Sequence, residues 1–501
     1  MKHILDRGIG VVEAMRTWSA RARSARLFVG GALVLGLLAD AGSGAVGADW
    51  PTYRGDFARS GVSLDSVPDR VSEAWRWTSK HPPQPAWQGE AKWDGWNKVY
   101  SMKARQTFDR AFHTVLVGGR VYFGSSADDK VYCLDAASGR ELWSFYTDGP
   151  VRFAPTVEDG RVYFGSDDGC VYCLEASTGK LVWKERVVPT DRRIPGNGRV
   201  ISVWPVRTSV VVMEKTVYTT AGMFPTEGVH LVAMDAANGV VKWRQVQKDL
   251  PAQGYLVASK TKLYVPAGRD NPVVCEVATG KRLQVVEGAG GTYALLTGDM
   301  LVFGPGKTGQ LGAVEDGTRD QLATFQGNHM IVTANRSYLH SDTELSALDR
   351  GRYLELARQR KSFTAQQGQI GKRLRDLAKQ KGTEEAQKKL KDELADLGKK
   401  IDAASDGMQD CVVWRAKSEW PLNLILAGQT LVAGGEGEVA AFDAYRGGLR
   451  WKQPVHGGAY SLAAADGALV VSTDEGVIHC FREPTKQAFN GAAAGKGEVI
   501  P

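Results

Sequence analysis

Apolar and polar positions between residues 121 and 183 follow a pattern that occurs twice. "VYFGSSADDKVYCLDAASGRELW" (121–143) and "VYFGSDDGCVYCLEASTGKLVW" (162–183) each run through an apolar stretch, a Gly-Ser turn, an acidic turn and a second apolar stretch. Each then passes a small-residue turn and ends on a strand closing with Trp. Short runs rich in Val, Tyr, Phe and Leu, bounded by Gly, Asp and Ser, are strand signals. Trp143 and Trp183 stand 40 residues apart. A period of about 40 to 45 residues with four short strands per unit is that of a propeller blade.

Further copies are weaker. They are read at 231–243 ("LVAMDAANGVVKW"), 274–283, where the Trp is lost, 300–325, 344–350 resuming at 411–414 ("CVVW"), 438–451 and 467–481. The last copy stops before its own Trp strand. "EAWRW" (73–77) is such a strand with no unit before it. Pairing the two closes the ring and leaves no open sheet edge. The expected fold is therefore all-β, an eight-bladed β-propeller. Trp75, Trp143, Trp183, Trp243, Trp414 and Trp451 are expected to dock neighbouring blades. Burying one such ring is worth up to about 4–6 kcal/mol.

From 351 to 406 the period changes. Leu356, Phe363, Ile370 and Leu377 recur every seven residues, and Leu390, Leu394, Leu397 and Ile401 step by four, three and four. "QKGTEE" (380–385) interrupts the run, with Thr383 as a candidate N-cap. This predicts an antiparallel coiled-coil helical hairpin inserted in the sixth blade, each arm roughly 30–40 Å long.

Composition changes the picture in three places. Arg16, Arg21, Arg23 and Arg26 precede the apolar run Leu27–Ala39 and a small-residue stretch, which reads as a signal peptide over 1–48. The expected order is then 1–48 signal, 49–482 propeller and 483–501 flexible tail. Such a protein is exported to the periplasm or cell envelope, with no transmembrane segment in the mature chain. Second, the net charge of +7 is uneven: residues 350–405 carry +7, residues 1–48 carry +3 and the remainder carries −3. The basic excess points to an anionic envelope surface or a partner helix. Nucleic acid is not an expected partner, and the propeller is expected to be monomeric. Third, six cysteines in an exported chain raise the question of disulfides. Cys133, Cys173 and Cys480 hold the same position in three copies, which is the mark of packing. Cys170 and Cys173 lie three apart on one strand, so they face opposite sides. Buried free thiols are expected.

A propeller core is generic, so function is sought in its loops. Residues 78–112, 186–205 and 221–228 are long insertions on one face. They bring a candidate binding face of Trp87, Trp93, Trp96, Arg192, Arg193, Arg199 and Trp204, suited to an anionic, carbohydrate or peptide partner. The bland reading is that these loops plug the channel or brace the blades. Tyr255, Tyr293 and Tyr460, near the starts of innermost strands, are candidates for lining the channel.

The repeat of 162–183 resembles that of the quinoprotein-like propellers, the PQQ-binding-like β-propeller proteins. These include quinoprotein alcohol dehydrogenases and the propeller lipoprotein of the outer-membrane β-barrel assembly machine. "DWPTYRGDFARSGVS" (49–63) also looks like the start of secreted bacterial members. For the dehydrogenases the resemblance implies PQQ with calcium or a lanthanide, a catalytic Asp and a Trp floor, often with a vicinal disulfide. No adjacent Cys pair occurs here, and no segment matches those metal-binding or catalytic motifs. No cofactor, metal or catalytic residue is therefore assigned. The expected function is a non-catalytic scaffold for protein or an envelope polymer. The alternatives are a PQQ-dependent oxidoreductase and a carbohydrate-binding module.

Overall fold

The computed structural model describes residues 49–87, 98, 106–196, 198–268, 270–287, 291, 293–298, 300–304, 310–315 and 321–484. The expected signal segment, Trp93, Trp96 and most of the expected tail lie outside them.

Among the described residues, six four-stranded antiparallel sheets follow one another along the chain. The first is Thr114–Val117, Arg120–Ser125, Lys130–Asp135 and Glu141–Tyr146. The second runs from Thr156–Glu158 to Leu181–Arg186, the third from Val211–Met213 to Val241–Gln247, and the fourth from Val257–Ala258 to Arg282–Val285. The fifth runs from Tyr293–Leu296 to Gln321–Gln326, and the sixth from His329–Val332 to Val412–Lys417. A further eight-stranded sheet joins two such units through one long strand, Leu449–Ala465. Its last strand, Val477–Arg482, pairs antiparallel with Ser72–Thr78 from the other end of the chain, setting Trp75 opposite Cys480. The fold is mostly β, built from propeller-like four-stranded units.

Burial along each unit explains its sequence. Second and third strands such as Arg120–Ser125 and Cys170–Glu175 are almost wholly buried, so they read as continuous apolar runs. Fourth strands alternate, as in Val241–Gln247, because one face meets water.

The tryptophans sit in one recurring lock. Each pairs with a small residue on the third strand: Trp143 with Cys133, Trp183 with Cys173, Trp243 with Ala233, Trp414 with Ala347 and Trp451 with Ala441. A register shift follows in every case, a bulge that re-aims the large side chain. The indole N–H then reaches the next unit. Trp75 donates to Ala136 O at 3.0 Å, Trp143 to Ala176 O at 3.1 Å, Trp183 to Ala236 O at 3.0 Å and Trp414 to Ala444 O at 3.3 Å. The ring lies on the glycine of that unit's turn. A Cβ on Gly139, Gly179, Gly239, Gly280 or Gly447 would come within 2.3–2.9 Å of the facing indole. All five glycines have φ between +70° and +77°, so conformation and space both demand glycine there. Trp451 instead donates to Pro68 O at 3.2 Å, just ahead of Ser72–Thr78. The chain ends thus complete the lock where the turn is interrupted.

All six cysteines are free and buried. Burial pushes the thiols of Cys133 and Cys170 up to about 12, and those of Cys173, Cys275 and Cys480 to about 11. They are packing residues, not nucleophiles.

Two helices, α1 (Arg350–Leu377) and α2 (Glu384–Gln409), stand between the third and fourth strands of the sixth sheet. Asp349 caps α1 by accepting from Arg352 N at 3.1 Å. Thr383 occupies the N-cap position of α2, but its side chain makes no cap bond. Its hydroxyl instead donates back to Leu377 O at 2.9 Å, so it ties off the end of α1. Leu354, Ala357 and Met408 seat the base of the pair in the core beside Phe325 and Leu348. Arg358 adds an ion pair to Glu315 at 3.0 Å.

Candidate functional site

Residues 50–63 form a strap that touches the first strands of five sheets. Trp50 and Leu116 exchange backbone hydrogen bonds at 2.7 and 3.0 Å, and Val157 N donates to Pro51 O at 2.8 Å. Ala258 N donates to Phe57 O at 2.9 Å, Leu296 N to Ala58 O at 2.8 Å and Leu426 N to Gly61 O at 2.8 Å. Val62 and Ser63 then pair in parallel with Leu426 and Ala427. Arg59 anchors this strap while 0% exposed. Its guanidinium donates to Leu256 O (2.9 Å), Thr52 Oγ1 (2.8 Å), Tyr53 O (2.9 Å), Asp56 O (3.2 Å) and Ser209 Oγ (3.2 Å). Burial pulls its pKa down to about 10 despite nearby Asp56. Arg54 and Arg59 both take φ of 58°, a left-handed conformation costing about 1–2 kcal/mol each. The surrounding contacts must offset that strain.

Beside the strap lies a buried ionic cluster. Arg152 bonds Asp109 at 2.8 Å and Asp167 at 2.6 Å, while Arg207 grips both oxygens of Asp167 at 2.7 and 3.0 Å. All four side chains are at most 1% exposed. Burial works against the charge on Asp167, but Arg152 and Arg207 outweigh it and hold the carboxyl below its ordinary range. At Asp109 burial wins, and the carboxyl is raised. Arg207 also lines a cavity of about 570 Å³ whose walls include Trp87, Ile194, Ile201, Met223 and Phe224. Trp87 and Phe224 are exposed at its rim.

The sequence profile of the family described as outer membrane protein assembly factor BamB matches residues 72–204, 163–352 and 399–489. The chain belongs to this BamB-type repeat family. No curated protein matches it in sequence. Solved structures share the fold of this BamB-family chain. The quinohemoprotein alcohol dehydrogenase from Comamonas testosteroni aligns with a TM-score of 0.55 and 13% identity, over 91% of this chain and 82% of that one. A europium-containing methanol dehydrogenase gives 0.53 and 11%, over 87% and 98%. The computationally designed Ika8 protein gives 0.50 and 12%, over 75% and 97%. At these identities the likeness speaks for the fold alone.

Within this BamB-type frame, the described residues of the expected binding face are engaged by partners within the protein. Arg199 grips both oxygens of Asp129, at 2.8 and 2.7 Å, and bonds Gln84 and Ala127 O. Arg192 pairs with Glu227 at 2.5 Å and lies over the Trp204 ring. Arg193 pairs with Asp191 at 3.0 Å. Trp204 departs from the expectation of a contact residue: it is buried, and its indole donates to Glu227 O at 2.7 Å. The 186–205 insertion folds as a small ribbon, Arg193–Gly196 against Arg199–Ser202, and braces the first three sheets. Trp87 is exposed, with its indole on Gln253 Oε1 at 2.6 Å.

Tyr255 does not line an open channel. It is 2% exposed and stacked on Tyr53 of the strap at 3.5 Å. Tyr460 is partly buried, with Arg110 over its ring and bonded to its hydroxyl at 3.2 Å. For Tyr293 only the strand Tyr293–Leu296 is described. Among the described residues, no three of His, Cys, Asp and Glu converge as metal ligands, and no helix is long and apolar enough to cross a membrane. Sequence reading missed the strap and the ionic cluster. The only signal for either was the dense "DWPTYRGDFARSG" segment, with two Arg and two Asp among small and aromatic residues.

Proposed function

We propose that the protein is an exported, non-catalytic eight-bladed propeller that serves as a protein-interaction or ligand-binding scaffold in the cell envelope. The eight blades are the six separate sheets and the two halves of the joined sheet, closed by Ser72–Thr78. The sixth carries α1 and α2 as an antiparallel coiled-coil hairpin. The observation that carries the reading is the strap. Residues 50–63 bond through their backbone to the first strands of five sheets, with Arg59 buried and Tyr255 stacked on Tyr53. That arrangement supports a structural centre over a cofactor pocket. The BamB-family match supports a binding role. The contact surface on this reading is the Trp87–Phe224 rim together with the helical hairpin.

Affinity purification of the tagged protein from envelope extracts, read by mass spectrometry with and without residues 350–409, tests this. A reproducible partner lost with the hairpin or with Trp87→Ala supports it. Dye-linked alcohol oxidation after adding the quinone and calcium would replace it with the oxidoreductase reading.

A further inference from the structure

The outer end of the helical insertion combines three properties found together nowhere else among the described residues. It is basic: residues 372–391 hold eight Lys or Arg against three Asp or Glu. It is uncompensated: Lys372, Arg373, Arg375, Lys381, Lys388 and Lys389 are exposed, and none takes part in an ion pair. It is also bare of apolar anchors, since no large exposed hydrophobic residue falls on either helix. The buried residues of this part, Leu390 and Leu397, are used up between α1 and α2.

Position adds to this. Ala357 is the last α1 residue in the sheet-packed core. From there α1 runs on to Leu377 for about 20 residues, about 30 Å at ~1.5 Å each. The blades and their loops carry −3, so they do not share in attraction to an anion.

We propose that this tip is a peripheral docking site for an anionic lipid bilayer, read through charge alone. A protein partner is recognised by buried aromatic or arginine anchors set in apolar surface, which the tip lacks, so a protein contact of the hairpin falls nearer its base. Its charges lie on both helices and on the turn between them, which suits a broad, laterally adaptable polyanion. Without apolar residues to insert, the contact is shallow, reversible and screened by salt. The molecule docks tip first, with the blades held off the surface. The inference is independent of which protein the scaffold engages.

Co-sedimentation of the purified protein with vesicles tests it, comparing phosphatidylcholine alone with an equal mixture of phosphatidylglycerol and phosphatidylcholine. The protein is expected to bind the mixed vesicles at low salt, not the neutral ones, and to release about tenfold or more on raising salt to ~0.5 M. The combined change Lys372→Glu, Arg373→Glu, Arg375→Glu, Lys388→Glu and Lys389→Glu is expected to weaken binding about tenfold or more, with an unchanged melting temperature. If that variant unfolds, the same five positions changed to Gln provide the comparison. Undiminished binding by the folded variant, or no binding by the unaltered protein, overturns the proposal. So does equally tight binding to a random DNA duplex, which would mark the tip as a general polyanion site.

Discussion

The rim and the centre of this molecule are held by different physics. At the rim, one lock is repeated: a Trp, a small partner on the neighbouring strand, and a glycine turn on the next unit. Its polar part converges on one backbone carbonyl and involves no carboxylate: Ala236 O accepts from the Trp183 indole at 3.0 Å, the Tyr163 hydroxyl at 3.2 Å and Arg161 at 3.2 Å. The centre is held by single, unrepeated groups. Arg59 serves five acceptors without touching a carboxylate, and Asp167 holds two buried guanidinium groups. Redundancy therefore belongs to the rim. The fourth sheet shows it: Gln284 stands opposite Val274 at the register shift, where the second sheet sets Trp183 opposite Cys173, and the sheet still forms.

The contrast is broken most severely at the centre. Asp167→Ala leaves Arg152 and Arg207 buried with only Asp109 between them. It is expected to lower stability by about 3–5 kcal/mol, read by denaturant unfolding. Removing one rim ring with Trp183→Ala falls in the same range, about 3–5 kcal/mol, yet the ring is expected to stay closed. A variant at the centre that remains fully stable would erase the distinction. Gly179→Ala forces a side chain into φ +72° and against Trp143, and is expected to cost about 1–3 kcal/mol.

Acid sharpens the comparison further. Burial pulls the pKa of His113 down to about 4, that of His340 to about 4 and that of His329 to about 3. Each is neutral in the folded protein, while the unfolded chain takes up protons below about 6.5. Stability is therefore full above pH 6.5 and falls as pH drops towards 4, by up to about 1.4 kcal/mol per unit for each histidine. Unfolding midpoints that stay flat across that window would contradict the buried neutral state. At the small end, Arg192→Ala removes an exposed pair with Glu227 and is expected to shift stability by less than about 0.5 kcal/mol.

The same division governs what was legible in the sequence. A lock that recurs announces itself through its spacing, so Trp143 with Trp183 and the AxxG turns pointed to the rim, including the pairing of 73–77 with the last strand. The role of the glycines in receiving the indoles was not visible, because a positive φ explains them before any contact does. The helices were visible through their heptads, although Thr383 looked like a cap and instead ties off the preceding helix. The centre has no repeat to betray it. Arg59, Asp109, Arg152, Asp167 and Arg207 are far apart in sequence, and isolated charges read as surface. The loop arginines looked available for the same reason: nothing local shows that Arg199 meets Asp129, 70 residues away.

The claim on which this rests is that the chain's early residues hold the ring from inside. Scanning calorimetry of the protein lacking residues 49–66, with Ser72–Thr78 retained, tests it most directly. The account predicts loss of the single cooperative transition, or a melting temperature well below that of the intact protein. A transition unchanged in temperature and sharpness would show that the blades need no strap.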